Sequence, residues 1–315
     1  GVSSQGTTRP MTPRDRMLLG SIGKTYVTAV MLKLVEEGRV ELDSKISRLF
    51  GHDEWFPRLP NAHGITLRML MNHTSGISRY IYTPEFQAAI KGQPHKIWRP
   101  EELLSFILDA KPLFPVGQGW SYSDTNYILV GMIIERVTGR TYYEELTDRI
   151  LMPFKLVDTS PSDRADLEGL VDGYTSEGNI LGLPVEVARH GRYAINPQFE
   201  WTGGGLVTTS LDLARWAKLL YGGEVLKPES LRQMLDGVET ARDSDRKYGL
   251  ATMMRPSVHG PVVGHAGYMP GYLSMMAYYL NHDLATAIQV NTDVGVDLPA
   301  LEKVLDDVAE ELLRR

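Results

Sequence analysis

The sequence predicts an α+β fold: an antiparallel sheet with helices packed on it, and a second, mostly helical lobe inserted into the chain. Three observations carry this expectation. Late in the chain, "KYGLATMMRP", "PVVGHAGYMPGYLSMMAYYL" and "LATAIQVNTD" are short, alternating or β-rich runs split by Gly, Pro and "NHD", as antiparallel strands are. The middle of the chain repeats apolar residues at helical spacing between capping and stop residues. Helical segments also stand near both ends, where they can cover the faces of one sheet.

From the N-terminus, "KTYVTAVMLKLVEEGRV" carries Val27, Val30, Met31, Leu34 and Val35 at helical spacing, with Gly38 as its stop. "LDSKISRLFGHDEWFPRLPNAHG" is rich in turn formers and reads as irregular connection. "TLRMLMNH" reads as a short helix capped by Thr66. "RPEELLSFILDA" offers Pro100 near a helix start and acidic residues in the first turn. "YILVGMIIERVTG" gives a helix ending at Gly139, and "TYYEELTDRILMPF" one closed by Pro153. "GLVTTSLDLARWAKLLYGG" is a turn followed by a helix capped by Thr209 or Ser210. The last segment, "LPALEKVLDDVAEELLRR", is an amphipathic helix.

With 315 residues, 43% of them hydrophobic and 23% charged, the chain can bury a substantial core as one large domain or two lobes. A net charge of −6 without a long basic run argues against nucleic acid as a partner. No uncharged apolar run reaches the roughly 18 residues of a spanning helix. There is no cysteine, hence no disulfide, thiolate nucleophile or Cys-based metal site, and this fits any compartment. "GVSSQGTTRP" lacks a charged-then-apolar signal pattern, as a trimmed chain also would, so periplasmic, secreted and cytoplasmic locations all stay open.

Residues 20 to 25, "GSIGKT", admit two chemistries. A phosphate-binding loop, G-x-x-x-x-G-K-[ST], requires glycine at position 18, where the chain has Leu18. The same letters contain Ser-x-x-Lys. Ser21 and Lys24 share one face of a helix, so the amine can reach the hydroxyl, and a helix start stabilises a nearby negative charge. A serine there also suits a plain N-cap. Two further constellations bear on the choice. In "GWSYSDTNYILVG", Tyr122 precedes a helix beginning near Thr125, from where its hydroxyl can project into a cleft. In "GHAGYMPGY", His265 and Gly267 lie on a β-rich run, and an x-Gly step on an edge strand lets a substrate backbone lie close. Each alone also suits a structural tyrosine or an ordinary histidine.

Together and in this order, Ser21-Ile22-Gly23-Lys24, Tyr122-Ser123-Asp124 and His265-Ala266-Gly267 resemble the S-x-x-K, Y-x-N and K-T-G or H-x-G motifs of the serine β-lactamase and penicillin-binding-protein superfamily. The likeness is to the branch of class C β-lactamases, D-alanyl-D-alanine carboxypeptidases and family VIII esterases. "LVEEGRVELDSKI", "ITLRMLMNHTSGI", "YSDTNYILVGMIIERVTG", "GGGLVTTSLDLARW" and "YGL" resemble that branch too, almost end to end. The resemblance implies a β-lactamase-like fold with a sheet lobe of residues 1–50 and 205–315, a mostly helical lobe of residues 51–204, and an active site between them. It implies a serine hydrolase that acts through an acyl-enzyme on an ester or a D-amino-acid amide or peptide. Ser21 is then the nucleophile, Lys24 and Tyr122 share the general-base role, Asp124 orients Lys24, and His265 tunes Tyr122 and the leaving side. The backbone N–H groups of Ser21 and of Tyr268, next to Gly267, form the oxyanion hole. No metal or organic cofactor is implied, and the partner is a small-molecule or peptide substrate. A class C-type β-lactamase and a weakly catalytic penicillin-binding or sensor module are the alternatives.

Three departures from the family pattern matter. Asp124 replaces the usual Asn, is charged at neutral pH, and should hold Lys24 more firmly as a cation. His265 replaces the lysine that most β-lactamases carry, removing a permanent cation for a substrate carboxylate and favouring peptidase and esterase chemistry. Only 20 residues precede Ser21, where a helix and two strands need about 25. Sheet strands are therefore expected to be missing, leaving an edge open to solvent, a partner chain or self-association. Of the other histidines, His52, His63, His73, His95, His190, His259 and His282 show no ligand spacing and read as surface or core residues. Tyr80, Tyr82, Trp98, Trp120, Tyr268 and Tyr272 are candidates for an acyl pocket, with core packing the alternative for about half.

Overall fold

A computed structural model describes residues 1–242 and 244–314. The chain opens with β1 (Arg16–Leu18) and α1 (Gly23–Glu36), then α2 (Ser47–Phe50), α3 (Leu67–Met71), α4 (Pro84–Gly92), α5 (Pro100–Ser105), α6 (Asp124–Thr138) and α7 (Tyr142–Leu146). Short strands follow: β2 (Ser160–Pro161), β3 (Gly173–Tyr174), β4 (Glu186–Arg189), β5 (Arg192–Tyr193) and β6 (Leu206–Thr209). The last part holds α8 (Ser210–Tyr221), α9 (Pro228–Met234), β7 (Val238–Glu239), β8 (Lys247–Tyr248), β9 (Met253–Arg255), β10 (Val262–Met269), β11 (Tyr272–Tyr279), β12 (Leu284–Val290) and α10 (Leu298–Leu313).

The main sheet is antiparallel throughout, in the order β12-β11-β10-β9-β8-β7. Its centre is the hairpin β10–β11, in register from Val262 opposite Tyr279 to Met269 opposite Tyr272. Because side chains alternate across a strand, this hairpin has two apolar faces. Val262, Ala266, Met275 and Ala277 pack with Leu301, Leu305 and Ala309 of α10. Val263, Met276 and Tyr278 instead join the core shared with α1 and α8. There Tyr26 stacks on Trp216 at 4.1 Å, and the Trp216 indole donates to Thr25 at 2.8 Å, fixing α1 against α8. Among the described residues, β12 is the outermost strand and pairs along its length with β11 alone. β1 joins β6 and β2 in a separate three-stranded sheet.

Local chemistry sets the element ends. Thr66 caps α3 by accepting from the Met69 N–H, and Thr209, rather than Ser210, caps α8 by accepting from Asp212. Gly139 closes α6 in the left-handed conformation at φ 71°. Two helices are shorter than their patterns suggest. α5 stops at Ser105, whose hydroxyl bonds back to the Glu102 carbonyl. α7 gives way after Leu146 to a π-helical turn, Thr147–Leu151, where the Thr147 hydroxyl bonds the Tyr143 carbonyl. Such back-bonding competes with the regular ladder and bends helices. Helices crowd between residues 67 and 151, whereas β3, β4 and β5 form a small antiparallel sheet between residues 173 and 193.

Candidate active site

Ser21 sits on a tight 3₁₀ turn, Gly20–Ile22, between β1 and α1, and caps no helix. The turn lies directly against β10. Gly20 has φ +57°, and a Cβ there would stand 2.6 Å from the Tyr268 carbonyl oxygen; one on Gly267 would stand 2.0 Å from that of Leu19. Glycine at both positions therefore lets two backbones touch and brings Ser21 beside the start of the β10 hairpin turn.

One helical turn beyond Ser21, Lys24 is fully buried with all its donors engaged. Its Nζ donates to Ser21 Oγ at 3.1 Å, to Asp124 Oδ1 at 2.6 Å and to the Gly203 carbonyl at 2.5 Å. Asp124, at the first turn of α6, is also buried and receives a second cation: Arg79 donates to its Oδ2 at 2.8 Å and, through Nη1, to the Tyr82 hydroxyl. The loop bearing Arg79 is tied to α6, since Thr125 Oγ1 donates to the Ser78 carbonyl and accepts from the Tyr80 N–H. Burial alone would lower the Lys24 pKa, but Asp124, helped by Tyr122 and Glu200, outweighs it and raises the pKa. Burial works to raise the Asp124 pKa; Lys24 and Arg79 together hold it well below the usual carboxylate range. At neutral pH this is a cation–anion–cation cluster.

The opposite wall carries no formal charge. The Tyr122 ring lies 4.8 Å from Lys24 Nζ and 4.3 Å from the His73 ring. Its buried hydroxyl reaches no partner at full hydrogen-bond distance. Burial raises the Tyr122 pKa, Asp124 adds to this, and Lys24 and Ser21 oppose it. His265, expected to tune Tyr122, stands 6.3 Å from it ring to ring and bonds Tyr248 instead, because Tyr248 on β8, two strands away in the sheet, reaches His265 Nε2 at 2.8 Å. A directional chain results. His73 Nδ1 faces two donors, the Ser123 N–H and the Asn126 amide, so Nε2 carries the proton and points at the Tyr248 oxygen, 3.3 Å away. Tyr248 in turn donates to His265 Nε2, and His265 Nδ1–H to the Ala266 carbonyl at 2.6 Å. Burial and Lys24 depress the His265 pKa to about 3, so the ring is neutral across the working pH range.

Between the walls lies a cavity of about 70 Å³ that reaches Ser21, Arg79, Tyr82, Asp124, Glu200 and Tyr268. Of the candidate pocket aromatics, Tyr82 and Tyr268 line it, whereas Tyr80, Trp98 and Tyr272 are buried in the core. Trp120 borders a roomier apolar cavity of about 520 Å³ between the sheet and the start of α10, which holds neither Ser21 nor Lys24. The sequence reading did not single out Arg79, Glu200 or Tyr248, and it took His73 for a surface or core residue. Arg79 and Glu200 lie in stretches with no motif, and only the fold brings them to Asp124. Among the described residues no group of three or more His, Asp or Glu is placed to hold a metal ion. A serine hydroxyl beside a buried ammonium, with a phenol nearby and backbone pressed close, can do nucleophilic acyl transfer.

A β-lactamase family model matches residues 1–310, so the chain belongs to the β-lactamase family. Penicillin-binding protein 4* of Bacillus subtilis is 26% identical over 293 residues, covering 90% of this chain and 62% of that protein. The lovastatin esterase of Penicillium rubens is 30% identical over 275 residues, covering 80% of this chain and 67% of that one. Among solved structures, a D-stereospecific amidohydrolase from Streptomyces sp. superposes with a TM-score of 0.82 at 30% identity, over 92% of this chain and 86% of its own. The fold is thus β-lactamase-like, and the chain spans less than two thirds of the Bacillus relative.

Proposed function

We propose that this chain is a serine hydrolase working through an acyl-enzyme on an ester or on the amide or peptide of a D-amino acid. The observation that carries the reading is Ser21 Oγ held 3.1 Å from a buried, cationic Lys24. An esterase and a D-stereospecific amidohydrolase among the similar proteins support the substrate class. Ser21 Oγ bonds to the substrate carbonyl carbon while its proton passes to the Tyr122 oxygen in its phenolate form. Lys24 has no free lone pair in this cluster; it stays protonated and stabilises the phenolate and the developing alkoxide, and Asp124 orients it. The N–H groups of Ser21 and Tyr268, beside Gly267, receive the oxyanion. Tyr122 then protonates the leaving oxygen or nitrogen as its bond to carbon breaks, and takes a proton from the water that releases the acid and restores Ser21. His265 holds the sheet wall through Tyr248. The reaction runs between a sheet lobe, residues 1–50 and 205–315, and a lobe of residues 51–204.

A fluorophosphonate probe tests this reading: it should label Ser21 in the wild type and leave Ser21→Ala unlabelled. No labelling, together with unchanged hydrolysis in Ser21→Ala, would end it. A β-lactamase is the weaker reading because neutral His265 supplies no cation for a substrate carboxylate. Turnover of a chromogenic cephalosporin orders of magnitude above a short-chain p-nitrophenyl ester and a D-alanyl dipeptide would reverse that ranking. The outer side of β12 is where a second copy would add a strand, and sedimentation at rising concentration tests this.

A further inference from the structure

Glu200 stands inside the cavity that contains Ser21, with nine-tenths of its surface buried, and nothing in the mechanism above uses it. Among the described residues it accepts no hydrogen bond and forms no ion pair. Its neighbours are committed elsewhere. Lys24 and Arg79 are clamped on the two oxygens of Asp124. The nearby hydroxyls of Tyr80, Tyr143 and Tyr193 donate to the carbonyls of Phe199, Gly205 and Pro270. The backbone that aims Glu200 inward is strained: the next residue, Trp201, has φ 36° and ψ −113°, held by burial of its ring. The Glu200 carboxyl opens into the cavity with no donor among the described residues, so a ligand that brings one can bond it there. The rest of the cavity wall near it is apolar, with Ile81, Ile180, Leu181 and Phe199.

We propose that Glu200 receives the ammonium of a substrate carrying a primary amine beside the scissile carbonyl, so that the enzyme cleaves behind a free, N-terminal amino acid and discriminates against N-blocked acyl groups. This rests on the hydrolase reading and specifies its substrate. Burial, with Asp124 adding, pushes the Glu200 carboxyl up to about 7, against the pull of Lys24 and Arg79. Below that pH, binding an ammonium must expel the carboxyl proton.

The test compares D-alanine p-nitroanilide with propionic acid p-nitroanilide, which lacks only the amine. The wild type should favour the amine substrate in kcat/KM by roughly 10–100-fold, the size of one hydrogen bond to a charged group. That preference should grow from pH 5.5 to 7.5 and collapse toward unity in Glu200→Gln. A loss of both rates in equal proportion, with the acyl-enzyme accumulating, would assign Glu200 to water activation and overturn the proposal. So would a pH-independent preference in the wild type, which covers the case of a Glu200→Gln protein that does not fold. Binding to Ser21→Ala separates the two readings. D-alaninamide should bind more tightly than propionamide and release protons at pH 6; equal binding refutes the ammonium site even where fluorophosphonate labelling upholds the hydrolase.

Discussion

On one wall of the cleft Asp124 joins two cations, the buried Lys24 and the partly buried Arg79, whereas on the other wall His73, Tyr248 and His265 form a chain of neutral groups. Both sides are buried, yet the polar groups are satisfied differently. Buried charges persist only when paired, and Asp124 uses both oxygens to pair two cations. Neutral donors and acceptors need only correct direction, which the fixed tautomers of the two histidines supply. The contrast explains how an aspartate fits where the family usually has asparagine: Arg79 provides a second counter-charge. On the proposed mechanism it also assigns the electrostatics of acyl transfer to one wall and the rigidity of β10 to the other.

The sharpest way to break this comparison is Lys24→Ala. Removing the cation at Ser21 should lower kcat/KM for a p-nitrophenyl ester by about 10²–10⁴-fold, and a loss under threefold would show that the charged wall is not where the chemistry is assisted. Gly267→Ala attacks the join between the walls. A methyl 2.0 Å from the Leu19 carbonyl must push β10 from the Ser21 turn, and a shift of about 1 Å costs on the order of 100-fold in kcat. Wild-type activity measured at that alanine would mean the seam does not position the nucleophile. In the unmodified enzyme, Tyr122 and Lys24 both have raised pKa values, so the base form is scarce at pH 7. Esterase kcat/KM should climb up to about tenfold per pH unit between pH 7 and 9. An inflection near 6.5 assignable to His265 by its loss in His265→Gln would contradict a neutral sheet wall.

Asp124→Asn sharpens the contrast through stability. In the wild type the raised Lys24 pKa stabilises the fold at all pH values below about 10.5 and is lost only above it. Without Asp124, burial dominates and the folded pKa falls below the unfolded one. The variant should therefore unfold at lower temperature than wild type at pH 7, and the gap should narrow as pH rises toward 10. A gap independent of pH would place the ion pair's effect elsewhere. The smallest effect belongs to the neutral wall. Tyr248→Phe leaves His265 Nε2 and the His73 Nε2–H without partners, which should cost about 1–3 kcal/mol in denaturant unfolding while reducing turnover less than about tenfold.

The sequence made the hairpin β10–β11, the helices α1, α6 and α8 and the last helix legible because periodicity, caps and Gly or Pro breaks agree there. α7 defeated the same reasoning: its pattern is helical, but the Thr147 hydroxyl competes for the ladder. Ser21, Lys24, Tyr122, Asp124, His265 and Gly267 stood out through motif spacing. Arg79, Glu200 and Tyr248 did not, since an ion pair across 45 residues or an unpartnered carboxyl leaves no local trace. The direction of the His265 hydrogen bonds was likewise invisible, being decided by a tyrosine two strands away in the sheet.

The backbone-to-backbone contact at Gly20 and Gly267 constrains how such an enzyme can be re-engineered. A saturation library spread over the nucleophile turn would be mostly inactive, because every side chain added there wedges apart two segments that must stay in register. Diversity belongs at Tyr82, Ile180 and Leu181, whose side chains line the cavity at Ser21 without supporting the serine. New acyl preferences can be selected there while the acylation step is left alone.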